Sequence, residues 1–148
     1  MRARVKALKQ RKPLIVEPTE ILPLKDIRQV YYPKTTRIEF AEANDVWVTR
    51  VASLENNKYS SYVRSIQEYL ALFDLGLAIF ENNNPVSSDL DIKQMLINQG
   101  VNLYEISADI GLSRSYFDNK DSDTSYQVDI FRDILDHLGY QLAIVRRS

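Results

Sequence analysis

Few side chains in this chain could do covalent or acid–base chemistry. His137 is the single histidine and there is no cysteine, so no thiol nucleophile, thiolate zinc site, disulfide or histidine-based metal cluster can be built. A Ser-His-Asp relay would need a serine beside His137, and none is placed to reach it. The four glycines read as turn and cap residues, with no glycine-rich loop to cradle a phosphate. The carboxylates are scattered over solvated helix faces. The residues therefore predict no catalysis and no metal or cofactor, and the chemistry left to the chain is recognition.

The positions that would do the recognising sit inside an internal repeat. Residues 26–80 recur, weakened, as residues 91–145. Asp26-Ile27-Arg28-Gln29-Val30-Tyr31-Tyr32 aligns with Asp91-Ile92-Lys93-Gln94-Met95-Leu96-Ile97 at an offset of 65. The offset is 66 where Glu39, Phe40, Val46 and Val51 face Glu105, Ile106, Leu112 and Phe117. It returns to 65 where Leu77-Ala78-Ile79-Phe80 faces Leu142-Ala143-Ile144-Val145. Single-residue slips at turns are what a diverged duplication leaves behind.

The elements follow from local chemistry. A first helix over 25–32 is ended by Pro33. Thr36-Arg37-Ile38-Glu39 is a capping box that opens a short second helix, and Asn102-Leu103-Tyr104-Glu105 is its counterpart. Third helices are predicted over 47–54 and 113–119. A longer helix follows in each copy, over 60–73 and 125–138, closed by Asp74 and Gly139. Strands at 75–80 and 140–145 end the copies. The Pro-rich lead-in 13–23 should be extended, with one short strand at 14–16 that packs on the first copy. The polar stretch 81–88 reads as a linker. Domains are thus expected at 24–80 and 89–148, after an arm and lead-in over 1–23.

Composition bounds the rest. In 148 residues, 45% hydrophobic and 26% charged content is that of an ordinary folded protein. No apolar stretch is long enough to span a bilayer and no secretory leader is legible, so a cytoplasmic protein without membrane contact is expected. The net charge of −1 hides an asymmetry: residues 1–12 carry six basic groups and no acid, while residues 89–148 carry ten acids against six Lys or Arg. The basic stretch reads either as an arm for a nucleic-acid groove or as a solvated tail.

Glu105-Ile106-Ser107, followed by Ile110-Gly111-Leu112-Ser113-Arg114-Ser115-Tyr116-Phe117, resembles the helix-turn-helix of the lambda-repressor-like, XRE-type regulators. In the first copy, Val51-Ala52-Ser53-Leu54-Glu55-Asn56-Asn57-Lys58 resembles the end of that family's recognition helix. Residues 62–80 are similar to the antitoxin branch, which adds a dimerising strand. The resemblance implies a mainly α fold of two tandem five-helix units, each followed by a short β-strand, with the strands paired about a pseudo-twofold axis. It implies DNA contact by Ser113, Arg114, Ser115, Tyr116 and Asn119, and by Trp47, Val48, Thr49, Arg50 and Ser53 in the first copy.

The chemistry of those positions is uneven. Arg114 can donate to guanine and Asn119 can pair with adenine, whereas Trp47 and Val48 can offer only apolar contact. Asp45 replaces the turn glycine, Leu103 stands where the family often has glutamine, and Asp118, Asp121 and Asp123 lie where phosphates would run. Arg114 reads equally as a solvated helix residue, and Trp47 as either a core residue or an exposed one. Tyr31, Tyr62 and Tyr69 are expected on apolar faces, with Tyr59 and Tyr126 near phosphates. The expectation is a sequence-specific, repressor-like DNA-binding regulator acting on double-stranded DNA as a homodimer or pseudo-dimeric monomer. The alternative is an antitoxin or phage-type inhibitor that binds a protein partner, a toxin or a phage or host protein, through the same fold.

Overall fold

A computed structural model of the chain describes residues 24–82, 84–87, 90–118 and 126–146. The basic arm, the lead-in with its strand at 14–16, and Asn119 lie outside the described residues. Within them the fold is mainly helical, with seven helices and one three-stranded antiparallel sheet.

Helix α1 (Leu24–Tyr31) buries Leu24, Ile27, Arg28 and Tyr31, the i, i+3, i+4, i+7 row of one helix face. Thr36 caps α2 (Arg37–Ala43) in the full capping box: its Oγ1 accepts from the Glu39 N–H at 3.1 Å, and Glu39 Oε1 accepts from the Thr36 N–H at 3.0 Å. Helix α3 (Val48–Asn56) and helix α4 (Val63–Ala71) complete the first half, which holds four helices and a strand rather than five helices. Strand β1 (Leu75–Glu81) leaves α4 through Asp74, held at φ +61°.

The stretch read as a linker contains strand β2 (Asn84–Ser87), which turns back through Asn82 to pair with β1. Its composition, Asn-Pro-Val-Ser, carries no strand signal of its own; pairing with an apolar neighbour decides it. Three further helices follow: α5 (Ile92–Asn98), α6 (Leu103–Asp109) and α7 (Val128–His137). Asn102 Oδ1 accepts from the Tyr104 and Glu105 N–H groups at 2.9 and 3.2 Å, so the expected asparagine cap is present. Gly139 at φ +81° ends α7 and starts strand β3 (Gln141–Arg146). Gly76 is no turn residue; it lies within β1 opposite Val145.

The sheet order is β2-β1-β3. Strands β1 and β3 run antiparallel, as expected, in a register that sets Ala78 opposite Ala143 and Leu77 opposite Ile144. Leu75, Leu77, Ile79, Leu142 and Ile144 join the helices in one connected core built from both halves. Ala78, Phe80 and Ala143 form a small second cluster on the other side of the sheet with Val145. A second backbone link ties the halves: Tyr62 bridges Gln127, the Val63 N–H donates to Tyr126 O at 2.9 Å, and the Val128 N–H donates to Ser61 O at 2.9 Å. That link explains why α4 and α7 begin at Val63 and Val128, three residues later than their sequence signals. Arg132 of α7 also lies 4.8 Å from the Tyr59 ring of the first half.

Candidate nucleic-acid interface

Two bends share one backbone construction. After α2, Asp45 takes φ +56° and the Val46 N–H donates to Ala41 O at 3.0 Å. After α6, Gly111 takes φ +79° and the Leu112 N–H donates to Ser107 O at 2.7 Å. The acceptor residue beneath each bend is small and buried, Ala41 at 2% and Ser107 at 0% exposure, so the chain beyond it can cross close above. Ser107 disposes of its hydroxyl by donating to Leu103 O at 2.8 Å. Val51 and Phe117 are the buried anchors beyond the bends.

The segments beyond the two bends differ. In the first half the segment is α3, a nine-residue helix pinned by Val51, Leu54 and Glu55. In the second half, residues 114–118 form turns, with the Tyr116 N–H on Ser113 O and the Asp118 N–H on Ser115 O, both at 3.0 Å. The helix expected over 113–119 is therefore absent from its described part. Serine and aspartate compete for the backbone and weaken an isolated helix, and Phe117 is the one fully buried anchor here.

The predicted contact residues divide accordingly. Ser113, Arg114 and Ser115 are exposed, and Arg114 stacks its guanidinium 5.2 Å from the Tyr104 ring centre. Tyr116 is half-buried against Phe117 and Tyr126; burial pushes its hydroxyl up to about 12, with Asp129 and Tyr62 adding to the shift. Its phenol is thus more a wall than a contact. Thr49, Arg50 and Ser53 are exposed along α3, with Arg50 engaged by Glu68 at 3.1 Å. Val48 is partly covered. Trp47 is 80% exposed, which settles its alternative readings against a core role.

Several expectations are corrected. Tyr126 is fully buried among Phe117, Phe131 and Tyr116, so it cannot reach a phosphate. Tyr62, expected on an apolar face, is 50% exposed, whereas Tyr31 and Tyr69 are buried. His137 is exposed and 3.7 Å from Asp109, a loose surface pair.

One cluster had no forecast. Glu55 has no exposed side-chain surface and receives Arg28 Nε at 2.7 Å, Arg28 Nη2 at 3.1 Å and Arg37 Nη2 at 3.1 Å. The Tyr69 hydroxyl donates to Glu55 Oε2 at 2.5 Å. Burial alone would raise the Glu55 carboxyl, but the hydrogen bonds from Arg28, Tyr69 and Arg37 together outweigh it and hold the group below its usual range. Its signal was there to find: Arg28 falls in the buried row of α1, where a cation requires a partner. This cluster welds α1, α3 and the start of α2, fixing the platform from which α3 projects.

No protein-family model, curated protein or solved structure matches this chain. Among the described residues no helix is long and apolar enough to cross a membrane. Nor does any group of three or more His, Cys, Asp or Glu among them come together in a way that could hold a metal ion.

Proposed function

We propose that the chain is a sequence-specific DNA-binding regulator built from two helix-turn-helix units, a single-chain counterpart of a repressor dimer. The observation that carries this reading is the pairing of equivalent residues. Ala78 with Ala143 and Tyr62 with Gln127 are the two cross-half pairs, and each joins residues 65 apart, the offset of the sequence repeat. An axis relating one half to the other must pass between residues that pair with their own counterparts. The left-handed residues agree: Lys34, Asp45 and Asp74 in the first half correspond to Gly100, Gly111 and Gly139 in the second.

In a twofold arrangement the segments beyond the two bends face one duplex together, as in a dimer bound to two half-sites. The second segment has the hydrogen-bonding side chains, Ser113, Arg114 and Ser115, while Trp47 and Val48 open the first. The target is accordingly an asymmetric site whose more strongly specified half is read by Arg114. Selection from a random duplex pool should yield such a site, bound with an affinity that falls steeply with salt. Arg114→Ala should weaken it by about 1–3 kcal/mol if the guanidinium reads a base. A palindromic selected site, or no retained duplex, would refute the reading. The second reading, a protein partner held through the same fold, is favoured by the 80% exposure of Trp47.

A further inference from the structure

Trp47 occupies the N-cap of α3 and makes no side-chain cap bond there. Ser, Thr, Asp or Asn at such a position would stabilise the helix by about 1 kcal/mol relative to a residue that cannot cap. The chain instead exposes its only tryptophan to 80%. A residue that breaks a local rule without a structural return marks a functional position. Two open grooves flank the indole: one is lined by Ile38, Glu42, Asp45 and Val48, the other by Thr49, Ser53 and Tyr62. Ile38 is 58% exposed and Tyr62 50%, so the apolar surface continues on both sides of the ring.

The charge around this surface selects its occupant. Glu42 and Asp45 bring carboxylates to the first groove. The cations nearby are committed: Arg50 and Arg64 both reach Glu68, at 3.1 and 3.9 Å, and Arg37 reaches the buried Glu55. In the second half the positions matching Ile38, Glu42, Asp45, Trp47 and Val48 are Tyr104, Ala108, Gly111, Ser113 and Arg114, which include no acid and no large exposed aliphatic side chain. Phosphates are repelled from an acidic apolar face, and cations are drawn to it.

We propose that the α2–α3 face of the first half is a docking site for a basic polypeptide segment of a second protein. An aromatic or long aliphatic anchor of that segment packs on Trp47 and Ile38, and its Lys or Arg side chains pair with Glu42 and Asp45. Central aromatic residues ringed by polar groups are the usual anchors of protein interfaces. The proposal stands whether or not the second half reads DNA.

The test is a random 12-residue peptide library panned on the full-length chain, followed by titration of the recovered peptides while Trp47 emission is recorded. Enriched peptides should be Lys- or Arg-rich around one apolar anchor and should shift the emission to shorter wavelength. Trp47→Ala should weaken them by at least about tenfold. Glu42→Lys and Asp45→Asn should each weaken them several-fold, with a shallower salt dependence than the parent; all three positions are exposed, so the fold should persist. Neutral or acidic enriched peptides, or binding indifferent to Trp47, would overturn the proposal. So would an emission shift produced by duplex DNA in place of peptide. A shift caused merely by deleting residues 2–12 would also overturn it, because the chain's own basic stretch would then be the occupant.

Discussion

At Glu55 two arginines and a phenol converge on one buried carboxylate, and the energetics of that residue should be visible in acid. Its folded-state carboxyl is held below the unfolded value near 4.5, so the stability it contributes is fully present above that value. The contribution is lost as the pH falls through the folded value. Urea midpoints should therefore decline below about pH 4.5 in the parent and decline less in Glu55→Gln. At pH 7 the variant should be about 3–5 kcal/mol less stable, because Arg28 and Arg37 are left facing a neutral amide in a dry site. Equal midpoints at pH 7 would remove the carboxylate from the stabilising set. This cluster was hidden in the sequence for a physical reason. A charge on an apolar helix row announces that a partner exists without naming it, and Glu55 lies 27 positions from Arg28. The exposure of Trp47 was equally undecidable, since an aromatic at a helix start is compatible with core or surface.

Among the elements, those set by short-range chemistry were legible and those set by neighbours were not. The Thr36 capping box, the Asn102 cap and the left-handed Asp74 and Gly139 all stand where local rules put them. Strand β2 and the unwound segment 114–118 do not, because one is imposed by β1 and the other lacks the apolar side chains that would hold a helix down. The two bends give a paired prediction. Gly111→Ala forces a Cβ into a backbone at φ +79° and should cost about 1–2 kcal/mol, although nothing lies within 4 Å of the added atom. Asp45→Gly relaxes the matching bend at φ +56° and should be neutral or slightly stabilising, since glycine accepts that conformation freely. Thermal melts of the two variants should move apart; parallel destabilisation would mean that the bends are held by their side chains.

For the whole molecule, the repeat was readable from the sequence, but its consequence required the register of β1 on β3. Leu77 and Ile79 of β1 face Ile144 and Leu142 of β3, each strand offering the other the residues it would offer itself. A first half freed of residues 89–148 would expose the β1 edge and the apolar side chains that β3 covers. At about 60–65 residues such a fragment buries too little surface to be comfortably stable alone. It can restore the lost contacts by pairing β1 with β1 of a second copy, with Ala78 opposite its own counterpart. Fragment 1–88 should therefore be a dimer whose dissociation on dilution is coupled to loss of helix, read by sedimentation equilibrium and circular dichroism over the same concentrations. A folded monomer would show that β3 contributes little to the first half. It would also remove the main reason for treating the chain as two copies of one pairing surface, because a strand related to its partner by a twofold axis must be able to stand in for it.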